Sequence, residues 1–150
     1  IGGTGIDILN GGDDNDSIDG GAEGDYLDGG AGGDTIRGGD GDLDRLNGQD
    51  GNDLLEGQGG TDLLAGGNGV DAFEFRDTSG IDAVLDFDTT SETVRVAANI
   101  NGTGVATAAD VLARCTDNGG DVQIDLGGGN FVTLVGVQVA NLSTANFVVF

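Results

Sequence analysis

Aspartate is the residue type in this sequence best suited to bind a ligand, because eight aspartates recur at a nearly constant spacing of nine residues. They are Asp7, Asp16, Asp25, Asp34, Asp44, Asp53, Asp62 and Asp71. The chain has no histidine and one cysteine, so Zn²⁺ and copper, which prefer nitrogen and sulfur ligands, are poor candidates. Ca²⁺ instead takes roughly six to eight oxygen ligands. The spacing therefore predicts a periodic, all-oxygen calcium site.

The aspartates belong to eight consecutive units that run from Gly2 to Glu74. Each unit has nine residues except the fifth, which has ten. Each unit begins with glycine, and its second-to-last residue is apolar with a variable residue on either side. One apolar residue per unit cannot form an amphipathic helix, which needs about three or four in two turns. It fits a three-residue strand with an inward central side chain, followed by a six-residue glycine-rich turn. Two units then complete a coil of 18 residues, with one short strand on each of two sheets.

This coil sorts the apolar residues into two rows and the aspartates into two columns. One row is predicted to contain Leu9, Leu27, Leu46 and Leu64, and the other Ile18, Ile36, Leu55 and Phe73. The first column contains Asp7, Asp25, Asp44 and Asp62, and the second column Asp16, Asp34, Asp53 and Asp71. Neighbouring rungs lie about 4.8 Å apart, where two carboxylates repel by roughly 1 kcal/mol in water. A cation between the rungs removes that repulsion.

The units resemble the GGxGxDxUx nonapeptide of the repeats-in-toxin (RTX) proteins over residues 2–74. The resemblance implies an all-β fold, a right-handed parallel β-roll, with roughly five to seven calcium ions. It also implies that Ca²⁺ is ligated by the position-six aspartates and by backbone carbonyls at positions such as one and three. The position-one glycines are Gly2, Gly11, Gly20, Gly29, Gly38, Gly48, Gly57 and Gly66.

Several residues depart from the nonapeptide pattern. Glycine at positions one, two and four suits a turn with φ > 0, yet Asp14 and Glu23 stand at position four, and Gln49 and Gln58 at position two. The extra residue near Leu43 is expected to bulge one turn and to weaken the ion beside Asp44. The position-nine acids are expected to lie on a solvated outer face; they include Asp19, Asp28 and Glu56.

Residues 77–150 lack the period, so we predict a repeat β-roll over 1–76 and a C-terminal capping region over 77–150. Alternating apolar residues predict strands over 81–87 and 93–97, and the turn GGGN predicts a hairpin between DVQIDL and FVTLV. Thr107 is the expected N-cap of one short helix over 108–115. The cap should cover the open edge of the roll and supply larger core residues. These are Phe87, Phe131, Phe147 and Phe150.

The second half also resembles the C-terminal segment that follows such repeats in secreted metalloproteases and related exported proteins. Asp82 and Asp88 are candidates for a further calcium ion in the flanking loop, with ordinary turn or surface carboxylates as the alternative. The ending FVVF resembles the short apolar terminus of substrates of bacterial type I secretion, although Asn146 stands where an acidic residue is usual. A final core strand is the alternative interpretation of this ending.

Composition excludes several function classes. A net charge of −22 argues against nucleic acid and anionic membrane surfaces as partners, and no apolar run is long enough to span a membrane. Without histidine there is no HExxH zinc site and no histidine base, so we expect the chain not to be an enzyme. Cys115 is alone and is expected to be a small buried apolar residue on the short helix.

The sequence thus predicts a calcium-triggered folding module of a protein secreted by a Gram-negative bacterium, located outside the cell or at its surface. The module would serve export, stability and C-terminal capping, with the type I secretion machinery as a partner of the C-terminus. Two alternatives remain open. One is a structural or adhesive module that self-associates through calcium, and the other is a module that binds surface glycans and is attached to a secreted enzyme.

Overall fold

The computed structural model describes residues 1–41, 43–77 and 79–150, and in this part of the chain the strands form two sheets. The seven-stranded sheet has the order β1 (Gly3–Thr4), β3 (Ser17–Ala22), β5 (Thr35–Asp40), β7 (Leu54–Gly59), β9 (Ala72–Phe75), β11 (Thr93–Val96), β15 (Phe147–Val149). The eight-stranded sheet has the order β12 (Cys115–Asn118), β13 (Asp121–Gly127), β14 (Asn130–Leu134), β10 (Ile81–Val84), β8 (Leu63–Asn68), β6 (Arg45–Asp50), β4 (Tyr26–Ala31), β2 (Ile8–Asp13).

Successive repeat strands alternate between the two sheets, so the chain winds as a coil and each strand pairs in parallel with the strand one coil later. Leu9 is paired with Leu27, and the row continues through Leu46 to Leu64. The opposite row pairs Ile18, Ile36, Leu55 and Phe73 in the same way. The prediction of a parallel β-roll with two apolar rows is therefore confirmed.

The repeat strands are longer than the three residues predicted. From β2 to β8 each strand has six residues and continues through the glycine at position one and the residue at position two. The corner lies at position two, where the backbone has positive φ, so the strand bends there without losing its hydrogen bonds to the neighbouring rungs. Gln49 and Gln58 occupy this position at φ 76° and 71°, which is a strained conformation for residues other than glycine.

One hydrophobic core extends through both halves of the chain. The strands β10 and β14 continue the eight-stranded sheet in parallel, and β11 and β15 continue the other sheet. Phe87 and Phe147 are buried as predicted. Phe131 is only partly buried and Phe150 is 41% exposed, so the prediction that these two residues supply core is wrong. Their place in the core of the cap is taken by aliphatic residues such as Ile124 and Leu134.

The remaining elements of the cap follow the sequence closely. The hairpin of β13 and β14 is antiparallel, and β12 pairs with its outer side. Thr107 caps the helix α1 (Ala108–Leu112) through a reciprocal hydrogen-bond pair with Asp110. The helix ends at Leu112, so Cys115 begins β12 instead of lying on the helix. Three 3₁₀ turns complete the cap; they span Ile100–Gly102, Val139–Asn141 and Thr144–Asn146. Within the described residues, no helix has the length and apolarity needed to cross a membrane.

Candidate calcium sites

The eight predicted aspartates form the two expected columns, and each column is held together by a ladder of hydrogen bonds. From Asp7 to Asp62, the backbone N–H of each aspartate donates to Oδ1 of the aspartate one coil later. In the first column Asp7 donates to Asp25 at 2.7 Å, and Asp25 donates to Asp44 at 2.7 Å. In the second column Asp34 donates to Asp53 at 2.7 Å. One oxygen of each later carboxylate is thereby fixed in place by the rung before it.

The second carboxylate oxygen, Oδ2, is buried without a hydrogen-bond partner in every one of these aspartates. A buried polar atom without a partner is costly, and a buried charge without one costs more. The aspartates in the middle of the roll, such as Asp44 and Asp62, are fully buried. Two parallel rows of unsatisfied negative oxygens therefore run along the roll, which is the arrangement that a row of bound cations would satisfy.

The position-one glycine of each unit lies directly against this oxygen. A Cβ at Gly48 would lie 2.2 Å from Asp53 Oδ2 and 2.5 Å from the carbonyl oxygen of Gly66, one coil later. The same contacts recur at Gly2, whose Cβ would meet Asp7 Oδ2 at 2.4 Å and the Gly20 carbonyl at 2.6 Å. None of the position-one glycines has positive φ. The expectation of φ > 0 is thus wrong for this position, where glycine is needed for close approach of the backbone instead.

Asp82 joins the first column as its fifth member. It is buried, its Oδ1 accepts the N–H of Asp62 at 3.0 Å, and its Oδ2 has no partner. The N–H of Ala83 donates to the Asp62 carbonyl. In the repeats, the residue after each aspartate likewise donates its N–H to the carbonyl of the aspartate one coil earlier, as Tyr26 does to Asp7. The interpretation of Asp82 as a surface carboxylate is therefore wrong.

Asp88, the other candidate of the flanking loop, is exposed and bonds to its own turn. Hydrogen bonds from the Thr90 N–H, the Thr90 hydroxyl and the Ser91 hydroxyl hold the pKa of Asp88 below its usual value. Its carboxylate is satisfied without a cation, so the structure places it apart from both columns.

Burial makes the columns electrostatically unfavourable when they are ionised. Desolvation raises the pKa of Asp62 to about 6 and that of Asp82 to about 8, with a smaller contribution from the neighbouring aspartate of the column. Burial, with repulsion between neighbouring rungs, also raises the pKa of Asp44 and Asp53. The hydrogen bonds from backbone N–H groups lower each pKa but do not compensate for burial.

The donor set fits Ca²⁺, because every available ligand is an oxygen. From Gly2 to Gly48, the Asp Oδ2 atom and the position-one carbonyl of the next coil approach the same side of each position-one glycine, and these groups would hold the ions. Among the described residues no point is surrounded by three or more acidic or cysteine side chains, so an ion in either column would need further ligands, such as backbone carbonyls. Bound calcium would supply the positive charge that the two columns lack. The assignment of individual ligands and the number of ions stay predictions.

The extra residue of the fifth unit leaves the first column intact. The N–H of Asp25 still donates to Asp44 Oδ1 at 2.7 Å, although these residues are 19 apart in sequence rather than 18. The strands β4 and β6 keep the regular register on either side. The additional residue is therefore absorbed in the turn before Asp44. A weaker ion at this position stays a prediction, and Asp42 in the same turn lies outside the described residues.

Three buried glutamates, Glu56, Glu74 and Glu92, were not identified as functional or structural residues from the sequence. Glu56 was expected on the solvated outer face, but it is buried and pairs with Arg37 at 3.2 Å and with Arg76 at 3.1 Å. Glu92 is buried at the end of the second column, beside Asp71. No nonapeptide signature precedes Glu92, so only the pairing of β11 with β9 reveals its position.

Comparison with known proteins agrees with this geometry. The family model of the RTX calcium-binding nonapeptide repeat matches residues 1–36, 22–42 and 38–72. The AlgE6R3 subunit of the Azotobacter vinelandii mannuronan C5-epimerase is 34% identical, with a TM-score of 0.56 over 92% of this chain and 80% of that subunit. The extracellular lipase LipA of Serratia marcescens shares the fold at 18% identity, with a TM-score of 0.55 over 97% of this chain and 39% of the lipase. No curated protein matches the sequence.

Proposed function

Because the chain belongs to the RTX calcium-binding nonapeptide-repeat family, whose repeats bind calcium in secreted proteins, we propose that it is a calcium-triggered folding module. In this proposal the chain remains expanded where calcium is scarce and folds into the roll where calcium is abundant outside the cell. The folded module would then stabilise the secreted protein of which it is part. We also propose that the chain has no catalytic activity of its own, since it lacks histidine and a visible nucleophile–base pair.

The observation that carries the proposal is the pair of buried Oδ2 rows without hydrogen-bond partners, at nine positions including Asp82. Residues 1–76 contain 18 acidic residues and 3 arginines, so folding without cations concentrates repulsion around a thin apolar core. Ions that bind only the folded state stabilise it in proportion to the logarithm of their concentration. Several ions that bind together therefore give a steep dependence of folding on calcium.

Circular dichroism and urea denaturation of the purified chain test this proposal. We expect little β-structure in EGTA, a cooperative gain in about 10 mM Ca²⁺, a concentration well above weak extracellular sites, and no comparable gain in Mg²⁺. The variant Asp53→Asn should need more calcium to fold, because it removes one ligand charge from the middle of the second column. The variant Asp13→Asn, which removes an exposed charge, is the control. Equal β-structure in EGTA and calcium contradicts the proposal.

We further propose that the apolar C-terminal ending is read by a type I secretion system before the chain folds. In the folded chain Phe147 is buried and β15 pairs with β11. The guanidinium carbons of Arg76 and Arg95 lie 4.9 and 5.2 Å from the centre of the Phe150 ring. The ending is thus accessible in the expanded chain and occupied once the sheet forms.

Export assays can separate this role from folding. The exposed side chain of Val148 allows Val148→Asp to interrupt the apolar ending without placing a charge in the core. We expect this variant to fold in calcium like the parent chain but to lose most of its export. The control Val135→Asp changes an equally exposed valine outside the ending. Normal export of Val148→Asp, or equal loss in the control, contradicts this role of the C-terminus.

A second candidate function is binding of a polysaccharide as a module attached to a secreted enzyme. It is favoured by the similarity to a subunit of a mannuronan C5-epimerase over most of this chain. An open groove of about 390 Å³ on the outer face of the eight-stranded sheet is lined largely by apolar residues such as Ile8, Leu63 and Leu85. Tyr26, Asp28, Arg45 and Asn47 also line it, and Arg45 donates to the Tyr26 hydroxyl at 2.8 Å. Such a groove offers an aromatic face, a cation and amide groups to a sugar chain.

Affinity electrophoresis in mannuronan-containing gels with calcium tests this second function. Retardation of the calcium-loaded chain that is lost in Arg45→Ala supports it. The control Arg114→Ala removes a cation from the cap, where Arg114 pairs with Asp125. Migration that is unaffected by the polysaccharide excludes this function for mannuronan.

A further inference from the structure

The second aspartate column ends at Asp71, but the backbone continues the same geometry one rung further into the cap. In the repeats, the residue after each aspartate donates its N–H to the carbonyl of the aspartate one coil earlier, as Ala72 does to Asp53 at 2.8 Å. Thr93 donates to the Asp71 carbonyl in the same way at 3.0 Å, and Thr93 pairs with Ala72 in the sheet. Glu92 therefore occupies the rung position that aspartate holds in every earlier coil.

The side chain of Glu92 is buried, with only 3% of its surface exposed, and its Oε2 accepts the N–H of Asp88 at 2.9 Å. In the repeats, the shorter aspartate reaches the backbone N–H of the previous rung. Glu92 is one methylene longer, and its carboxyl group lies within hydrogen-bonding reach of that of Asp71, a bond that forms only while one of the two groups is protonated. When both groups are ionised neither can donate a hydrogen bond, so the two carboxylates repel at close range.

Two further observations indicate a positive ligand between these groups. Asp71 is 1% exposed, and its Oδ2 has no hydrogen-bond partner and lies against Gly66. Asp86 approaches the same loop and accepts the N–H groups of Gly66 and Gly67, each at 3.0 Å. The last repeat loop is thus enclosed by acidic groups from the cap, and no arginine pairs with Asp71, Asp86 or Glu92 within the described residues.

We propose that Glu92 and Asp71 bind a further calcium ion, which extends the second column one rung beyond the nonapeptide repeats and joins the repeats to the cap. Backbone carbonyls of the facing loops would complete the coordination, and Asp86 would hold the Gly66 end of the loop and add negative charge. This ion would couple folding of the cap to that of the roll. The proposal rests on calcium binding by the repeats, as described under the proposed function.

Two substitutions separate a ligand from a structural side chain. Glu92→Gln keeps an oxygen that can accept the Asp88 N–H but removes the charge. Glu92→Asp keeps the charge and places the residue of all other rungs at this position, but it shortens the reach to Asp88. A ligand role predicts that Glu92→Gln loses the ion and Glu92→Asp retains it. A purely structural role predicts instead that Glu92→Asp lowers stability more than Glu92→Gln does.

The experiment counts calcium in the full chain by equilibrium dialysis and elemental analysis, with urea denaturation in calcium and circular dichroism in EGTA alongside. We expect Glu92→Gln to bind one calcium ion fewer per chain and to unfold at lower urea in calcium, while its circular dichroism in EGTA matches that of the parent chain. Glu92→Asp and the exposed-charge control Asp13→Asn should bind the parental number. An unchanged count in Glu92→Gln overturns the proposal, and a parent chain that binds no calcium overturns the proposed function as well.

Discussion

Acid should substitute for calcium in folding this chain, because the buried columns take up protons when they fold without cations. The pKa of Asp82 rises from 3.8 to about 8 and that of Asp62 from 3.8 to about 6, in both cases chiefly through burial. Burial likewise raises the pKa of Glu92 to about 7. For an acid whose pKa is higher in the folded state, stability is greatest below the unfolded pKa and falls as pH rises through the folded pKa.

The effect of pH on the free energy of unfolding can be worked out for Asp82, because burial raises its pKa more than that of Asp62 or Glu92. From pH 5 up to its folded-state pKa near 8, the Asp82 carboxyl is largely protonated in the folded chain but ionised in the unfolded chain. Each pH unit in this range therefore changes the free energy of unfolding by about 1.4 kcal/mol. Lowering the pH from 8 to 5 therefore recovers roughly 3–4 kcal/mol from this residue alone. That amount is large beside the total stability of a small domain, which is about 5–15 kcal/mol.

The assay is circular dichroism in EGTA across pH 5 to 8, for the parent chain and for Asp82→Asn. We expect the parent chain to gain β-structure as the pH falls, and the variant to be more folded at pH 8 and less dependent on pH. Asp88→Asn is the control, because Asp88 is exposed and its pKa is lowered. In saturating calcium the pH dependence of β-structure should reverse, so that β-structure falls as the pH falls, since protons compete with calcium for the carboxylates. Identical curves for the parent chain and Asp82→Asn would refute the reasoning.

Three further predictions concern stability in saturating calcium, measured by urea denaturation. Gly48→Ala should cost at least about 2 kcal/mol, because its Cβ would lie 2.2 Å from Asp53 Oδ2. Gln58→Gly should gain about 0.5–1 kcal/mol, because Gln58 has φ of 71°. Arg76→Ala should cost about 1–2 kcal/mol and less in high salt, because Arg76 pairs with Glu56 and Glu74 while each glutamate keeps one other arginine.

Matched variants distinguish these causes from general damage. Gly33→Ala adds the same methyl group at a glycine without positive φ, where the nearest atom lies 3.2 Å away, and should cost clearly less than Gly48→Ala. Gln138→Gly replaces a glutamine in extended backbone, where glycine gives no relief of strain, and should not stabilise. Arg45→Ala removes an exposed guanidinium that contacts Tyr26 and should change stability little. Equal effects in the test and control variants contradict the corresponding prediction.

The repeat half could be predicted almost completely from the sequence, because its period is local and each unit repeats the same geometry. The spacing of Asp7 and Asp25 by 18 residues placed them in one column, and the apolar residues two positions later formed the two rows. The reason for glycine at position one could not be predicted. It depends on the carboxylate and the carbonyl that approach Gly48 from other parts of the coil, and neither is apparent from a single unit.

The tertiary structure alone decided where the columns end. Asp82 and Glu92 follow no nonapeptide signature, and they take rung positions because β10 and β11 pair with β8 and β9 and so inherit the register of the repeats. The pairing of buried Glu56 with Arg76, which follows the last nonapeptide unit, likewise appears only in the folded chain. The sequence by itself determined a periodic acidic roll, since periodicity is written into each unit. Long-range backbone pairing determined how far that roll extends into the cap, because hydrogen bonds between rungs depend on register and not on the repeat motif.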